Sequence, residues 1–242
     1  MGVSLLKDVV RSQLLRRLGL HVYRTSPHGY DDLADIGRTG APVATVFDVG
    51  ANVGQSALRF ARAFPRARIH CFEPVATAFE ALRGNVAHLP QVVCHRVALG
   101  PSCGQARIWL DDNAQKCSMV VHTDRTQEVE VETVDAAAAR LKVDRIDLLK
   151  IDVEGYEMQV LAGATGALAG GRIGFVLAEV SFHPDDARHT LFDSVRGFLM
   201  PYGFRLLGIY DQALEWDGRL SLRFANALWC RPDALASPAG DP

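Results

Sequence analysis

Short apolar runs alternate with amphipathic segments along most of the chain, a pattern that is typical of βα repeats. The apolar runs predict strands over residues 44–47, 68–72, 91–97, 146–152, 173–180, 204–209 and 225–230. The segments between them predict helices over residues 55–60, 78–86, 136–141, 157–168 and 191–199. Strands that alternate with helices indicate a parallel sheet covered by helices on both faces. We therefore expect one α/β domain with a seven-stranded, mostly parallel sheet.

The pattern changes in two places. Between residues 106 and 133, two alternating stretches flank a polar loop that contains Lys116, Cys117 and Ser118, which predicts a β-hairpin-like insertion over one end of the sheet. Residues 5–20 predict a basic amphipathic helix that could act as a lid, form a homodimer contact or touch an anionic membrane surface. We expect residues 1–40 to form a helical extension, residues 41–232 the main domain and residues 233–242 a disordered tail.

The composition of the chain limits which binding partners and which cellular compartment we expect. The formal net charge of −2 argues against a broad nucleic-acid-binding surface. The five cysteines lack the paired spacing of a zinc site or disulfide framework, so we expect buried free thiols. No apolar run approaches the roughly 18 residues of a transmembrane helix, and the N-terminus lacks a signal-peptide pattern. These features predict a cytoplasmic protein without a transmembrane segment.

A glycine-containing turn joins the first predicted strand to the first helix. Residues 48–54 read Asp-Val-Gly-Ala-Asn-Val-Gly, and the next strand ends in Glu73, about 20 residues past the turn, where a βαβ unit presents a carboxylate to ribose hydroxyls. Ala51 and Asn52 stand where a pyrophosphate requires a close backbone, so the pattern favours S-adenosylmethionine (SAM) over a dinucleotide. The expected cofactor contacts are Asp48, Gly50, Ala51, Asn52, Gly54, Gln55, Ser56, Glu73, Pro74, Ala98 and Asp152.

Carboxylates also follow the predicted strands further along the chain. Asp152 ends one strand, Glu154 follows two residues later, and Glu179 lies near the end of the next strand. Because a hydroxyl nucleophile needs a general base or a metal, Asp152, Glu154 and His183 are candidate catalytic residues. Asp152 and Glu179 together also suit Mg²⁺.

Each of these side chains also has a structural interpretation that stays open. Asp152 could cap the following helix, Glu154 could complement the helix dipole, and His183 could be a surface histidine. For Lys150, on the same strand face as Asp152, we favour a salt-bridged structural role over a catalytic one.

Three motifs together resemble the FkbM family of methyltransferases: residues 48–54, residues 72–74 and residues 147–157. The resemblance covers about residues 46–230. It implies a Rossmann-like class I fold and a SAM-dependent O-methyltransferase that acts on a hydroxyl of a sugar, an oligosaccharide or a related natural product. The N-terminal extension and the hairpin insertion would then shape the acceptor pocket.

Two functions of other classes remain as alternatives. A nicotinamide-dependent dehydrogenase shares the βαβ turn and the acidic residue, but it predicts pyrophosphate-compatible glycines that this turn lacks. A non-catalytic cofactor-binding module could use the basic N-terminal helix to dock a partner. Turnover of labelled cofactor with a panel of acceptors would separate these possibilities.

Overall fold

The computed structural model describes residue 23 and residues 25–110, 119–120, 124–186, 188–215 and 221–234. The predicted helix over residues 5–20, the polar loop around Lys116 and nearly all of the predicted tail lie outside these residues. Within them, no helix is long and apolar enough to cross a membrane.

The elements follow the βα alternation that the sequence predicts. The first half of the chain contains α1 (Asp32–Arg38), β1 (Thr45–Val49), α2 (Gln55–Ala63), β2 (Arg68–Phe72), α3 (Ala76–Val86), β3 (Val92–His95), β4 (Ala98–Leu99), β5 (Gly104–Leu110) and β6 (Arg125–Glu132). The second half contains α4 (Val134–Leu141), β7 (Ile146–Ile151), α5 (Glu157–Ala162), α6 (Thr165–Ala169), β8 (Ile173–Ser181), β9 (Thr190–Leu191), α7 (Phe192–Leu199), β10 (Arg205–Leu214) and β11 (Leu222–Cys230). Short 3₁₀ turns cover Met200–Tyr202 and Pro232–Ala234.

The main sheet has the strand order β3-β2-β1-β7-β8-β11-β10, and the short β9 pairs with β8. Neighbouring strands from β3 to β8 are parallel, whereas β11 is antiparallel to both of its neighbours. The predicted seven-stranded, mostly parallel sheet is confirmed. From β1 the strand order runs outward through β2 and β3 on one side, and from β7 it runs outward through β8 on the other side. The order therefore reverses between β1 and β7, and open α/β sheets bind their ligands at the point of such a reversal, called the switch point.

The core lies on both faces of this sheet. All six residues of β7 are buried, including the charged Asp147 and Lys150, because the strand lies inside a sheet that is covered on both faces. Leu148 packs in the cluster that contains Phe60, and the adjacent Leu149 packs in the cluster that contains Trp229 on the other face. Successive residues of a strand point to opposite faces of the sheet, so β7 contributes side chains to a hydrophobic core on each face.

The insertion forms a separate three-stranded sheet in the order β4-β6-β5. The antiparallel pairing of β5 and β6 gives the predicted hairpin arms. The predicted strand over residues 91–97 is shorter than expected, because the chain leaves the main sheet after His95 and Ala98 then pairs with Val131 of β6. Ile108 of β5 packs with Val75 and Ala98, which holds the small sheet against the segments that follow β2 and β3.

Two smaller predictions also need correction. The helix predicted over residues 157–168 is split into α5 and α6 near Gly163, where a Cβ atom would lie 2.1 Å from the carbonyl oxygen of Gly100. That close approach requires a glycine, and a glycine readily ends a helix. The four described cysteines are free thiols, but only Cys71 and Cys230 are buried, whereas Cys94 is partly buried and Cys103 is exposed.

Candidate active site

A cavity of about 350 Å³ opens at the ends of β1, β2 and β7, beside the switch point of the sheet. The predicted cofactor residues that line it are Gly50, Ala51, Asn52, Gln55, Ser56, Glu73, Pro74, Ala98 and Asp152. Glu154 and Glu179, predicted for catalysis and metal binding, line it as well. Sequence reasoning did not place several further lining residues: Val49, Phe72, Val75, Leu99, Ile108, Met119, Lys150, Val153 and Tyr156.

Three predicted site residues lie away from this lining. Asp48 is completely buried and faces Lys150. Gly54 forms the N-terminal cap of α2 with a φ of 97°. His183 lies in the loop after β8, half-exposed, with its Nε2 3.8 Å from Glu215 Oε1. The structure therefore separates His183 from the carboxylates with which the sequence grouped it.

The turn after β1 is shaped by contacts within the protein. Gly50 has a φ of 76°, and a Cβ atom there would lie 1.9 Å from the carbonyl oxygen of Asp152. The amides of Gly50 and Ala51 both donate to the carbonyl oxygen of Phe72, each at 3.1 Å, and the amide of Asn52 donates to Glu73 Oε2 at 2.9 Å. Gly50 thus lets the end of β7 approach the end of β1, and these three amides already have acceptors.

Glu73 presents a carboxylate to the cavity while two amides hold it in place. Its Oε2 accepts from Asn52 and its Oε1 accepts from the amide of Val75 at 2.8 Å, which leaves further lone pairs on both oxygens. Burial raises the pKa of Glu73 to about 7. The Oδ1 atom of Asn52 is buried and has no hydrogen-bond partner within the described part of the chain. These oxygens suit the hydroxyls of a nucleoside, and the apolar lining residues Leu99, Ile108 and Met119 suit its base.

Lys150 links the ends of β1 and β7. Asp48 is its register partner on β1, and Asp152 lies two residues further on along its own strand, so all three side chains share one face. Lys150 Nζ lies 3.2 Å from Asp48 Oδ1 and 3.2 Å from Asp152 Oδ2. Burial alone would lower the pKa of Lys150, but Asp152 and Asp48 raise it above its usual value. The predicted salt-bridged lysine is confirmed.

Three carboxylates meet at the other end of the cavity, on Asp152, Glu154 and Glu179. Glu154 has a φ of 52°, in the left-handed region that residues with a Cβ rarely adopt. Burial, together with the negative charges of Glu179 and Asp152, raises the pKa of Glu154 to about 7. A carboxyl group with this pKa exchanges protons readily at neutral pH.

Glu157 holds the loop that carries Glu154. Its buried Oε1 accepts from the amides of Val153 and Gly155, both at 3.2 Å, and its Oε2 accepts from Thr190 Oγ1 at 2.6 Å. These bonds tie the loop to β9 and stabilise the left-handed backbone of Glu154. The sequence places Glu157 within a motif but does not reveal this role.

His189 contacts Glu179, and sequence reasoning missed it. Because Val180 pairs with Thr190 in adjacent parallel strands, the residues before them lie side by side. His189 Nε2 lies 3.1 Å from Glu179 Oε2, and its Nδ1 lies 2.9 Å from Asp186 Oδ2. Burial disfavours the charge on the ring, but the bonds to Glu179 and Asp186 raise the pKa of His189 to about 9. The imidazolium ion therefore persists at neutral pH.

The residues do not fit the predicted Mg²⁺ site. Within the described residues, no group of three or more histidine, cysteine, aspartate or glutamate side chains is arranged to hold a metal ion. Each of the two carboxylates already has a cationic protein partner, Lys150 beside Asp152 and His189 beside Glu179. A magnesium site at Asp152 and Glu179 is therefore not supported.

The strand order, the cavity at the switch point and the carboxylate after β2 define a class I methyltransferase fold. Residues 48–206 match the Methyltransferase FkbM domain, and the chain belongs to this family of methyltransferases.

The chain is similar to curated methyltransferases whose names give different substrates. The hexuronic acid methyltransferase AglP of Haloferax volcanii is 29% identical over 136 residues, covering 56% of this chain and 55% of AglP. The 2-O-methyltransferase NoeI of Sinorhizobium fredii is 29% identical over 158 residues, covering 58% of this chain and 64% of NoeI. The 31-O-demethyl-FK506 methyltransferase FkbM of Streptomyces tacrolimicus is 31% identical over 173 residues, covering 57% of this chain and 66% of that protein. The match thus spans less than two thirds of each relative.

Proposed function

We propose that this chain is a SAM-dependent O-methyltransferase that methylates a hydroxyl group of a sugar, an oligosaccharide or a related natural product. The names of NoeI and FkbM support methylation of an oxygen, and the name of AglP supports an acceptor related to a sugar. SAM supplies the electrophilic methyl group, so the protein has to hold the cofactor, align an acceptor oxygen and receive its proton.

The charge of the cavity carries this proposal. Among the described lining residues, four carry a carboxyl group and a single one, Lys150, carries a cationic group. Lys150 is held between Asp48 and Asp152, and the turn amides that a pyrophosphate would need already have acceptors. The cavity therefore favours a ligand with a positive sulfonium over a dinucleotide with two negative phosphates. This argues for SAM over the nicotinamide cofactor of the dehydrogenase alternative.

The cofactor half of the cavity has a residue for each part of a nucleoside. Both oxygens of Glu73 would accept hydrogen bonds from ribose hydroxyls, and Asn52 Oδ1 would accept a further donor. Leu99, Ile108 and Met119 would pack against the apolar faces of the base.

Glu154 is the preferred general base. It lines the cavity, and its pKa of about 7 makes it an effective proton acceptor at neutral pH. Glu154 Oε would receive the proton of the acceptor hydroxyl as that oxygen takes up the methyl group. Asp152 and Glu179 would accept hydrogen bonds from the acceptor and orient it. His183, outside the cavity, is the less suitable base.

Calorimetric titration with SAM and with NAD tests the cofactor assignment. We expect SAM to bind and NAD to bind much more weakly. Glu73→Ala should weaken SAM binding by about 1.5–3 kcal/mol, the range for hydrogen bonds to a charged group. Glu80→Ala, which removes an exposed carboxylate of α3, is the matched control and should change little. Tighter binding of NAD than of SAM would refute the proposal, and unchanged affinity in a folded Glu73→Ala protein would remove Glu73 from the site.

Mass spectrometry of a panel of hydroxylated acceptors incubated with protein and SAM tests the reaction. The expected result is a product that has gained one methyl group on oxygen. A protein that binds SAM but methylates nitrogen, sulfur or carbon acceptors instead would contradict the O-methyltransferase assignment.

A further inference from the structure

Carboxylate oxygens dominate the charged surface at the acceptor end of the cavity. The side chain of Asp152 is 41% exposed, whereas that of its cationic partner Lys150 is 7% exposed. The side chain of Glu179 is 20% exposed, whereas that of its partner His189 is 10% exposed. In both ion pairs the cation lies deeper than the anion. In these two pairs the carboxylate is therefore the more accessible partner.

Glu154 adds a third carboxylate to this surface. Its Oε2 lies 3.6 Å from Arg188 Nη1, and in this pair the cation is the more exposed partner, with 29% of the Arg188 side chain exposed against 18% for Glu154. Glu154 lines the cavity, whereas Arg188 is not among the lining residues. Burial is the main factor that disfavours the ionisation of Glu154, and the negative charges of Glu179 and Asp152 disfavour it further. Among the described lining residues, carboxylates at this end of the cavity therefore outnumber cationic groups by three to one. The single positive charge of a bound sulfonium would leave this excess of acidic groups in place.

From this surface we infer that the acceptor is an uncharged, hydroxyl-rich sugar ring, and that the site discriminates against acceptors with a carboxylate or phosphate near the methylated hydroxyl. The inference rests on the proposed function and narrows its acceptor. Ionised carboxylates only accept hydrogen bonds, which hydroxyl groups donate, and they repel a further anion brought beside them. The acceptor of this chain would then differ from the hexuronic acid in the name of AglP.

Matched pairs of sugars test the inference. Each pair consists of a methyl hexoside and the corresponding methyl hexuronide, which carries a carboxylate at carbon 6 in place of the hydroxymethyl group. The pairs cover the gluco, galacto and manno series. Methyl transfer from SAM is measured by mass spectrometry at pH 8 for the full chain. We expect kcat/KM for the neutral member of a methylated pair to exceed that of its acid partner about tenfold or more, as like-charge repulsion predicts.

Two variants locate the source of this preference. Glu179→Gln removes one negative charge from the cavity and should reduce the neutral-to-acid ratio several-fold, mainly by lowering KM for the acid. Glu80→Gln removes an exposed charge from α3 and should leave the ratio unchanged. An unchanged ratio in Glu179→Gln would contradict the role of the cavity carboxylates.

The outcomes separate this inference from the proposed function. Equal or preferred methylation of the hexuronides overturns the inference while the O-methyltransferase assignment stands. A protein that binds SAM but methylates no member of any pair also overturns the inference, because its acceptor is then not a simple sugar ring. Failure to bind SAM overturns the proposed function itself.

Discussion

Gly50 offers a direct test of how the fold positions the acidic loop after β7. Its φ of 76° lies in the left-handed region, and a Cβ atom would lie 1.9 Å from the carbonyl oxygen of Asp152. Gly203 has a similar φ of 84°, but a Cβ atom there would meet nothing within 4 Å. An alanine at either position would therefore have the same unfavourable backbone conformation, but only at position 50 would its Cβ atom also clash with another residue.

Gly203→Ala should lower the free energy of unfolding by about 1–2 kcal/mol, the cost of a left-handed L-residue. Gly50→Ala adds a clash between backbone groups that a rotamer change cannot relieve, and overpacking of this kind costs about 1–3 kcal/mol more. The clash also displaces Asp152, whose amide donates to the carbonyl oxygen of Val49 at 3.1 Å. We therefore expect methyl transfer to fall sharply in Gly50→Ala and to persist in Gly203→Ala.

Urea unfolding at constant pH measures both stabilities, and turnover with SAM measures the consequence for the site. Unfolding slopes that agree between the two variants would show that the difference arises in the native state. Equal losses of stability in both, within about 0.5 kcal/mol, together with full activity in Gly50→Ala would refute the close-approach argument.

Three further predictions concern the buried carboxylates. The pKa of Glu73 is raised from 4.5 to about 7, so the native state holds a proton that the unfolded state has lost, and the free energy of unfolding should fall as pH rises through this window. Glu73→Gln should reduce this fall by up to about 3 kcal/mol in urea titrations at pH 5 and pH 8, and an unchanged pH dependence would contradict the raised pKa. Glu154 must be ionised to accept a proton, so kcat should rise with pH through about 7, and Glu154→Gln should lower kcat and abolish that rise. Glu157→Ala leaves the amides of Val153 and Gly155 without their acceptor, at about 1–3 kcal/mol each, whereas Thr190→Val removes one hydrogen bond and should cost about 1 kcal/mol. If Glu157→Ala leaves kcat unchanged, the carboxylate does not position the loop of Glu154.

The periodicity of apolar residues was sufficient to predict the sheet. β7 and β8 read as mainly apolar runs, interrupted only by a few polar residues such as Asp147, Lys150 and Glu179, because both of their faces are buried. The positions of the strands in the chain match the observed topology closely. The motif residues that follow β1, β2 and β7 also gathered where expected, since parallel strands bring their carboxyl ends to one edge of the sheet. These features depend on local pattern and on strand order, which a sequence carries directly.

The structure departed from the sequence-based predictions where the position of a side chain depends on its direction or on contacts between distant segments of the chain. Asp48 has the motif position of a cofactor residue, yet the register of β1 against β7 turns its carboxylate toward Lys150 and away from the cavity. His183 was a candidate base with a surface position as its alternative, and the structure places it at the surface, whereas β9 brings His189 beside Glu179. No local pattern encodes either arrangement, because each follows from the register of two strands.

The sequence by itself therefore determined the α/β class, the order of the elements and the edge of the sheet where ligand-binding residues meet. Only the tertiary structure decided that Gly50 admits the backbone of Asp152, that Lys150 and His189 lie beside Asp152 and Glu179, and that burial raises the pKa of Glu73 and of Glu154 to about 7. Secondary structure follows from periodic contacts between near neighbours in the chain. Close approach, charge pairing and desolvation depend on which distant residues come together, and these are properties of the folded molecule.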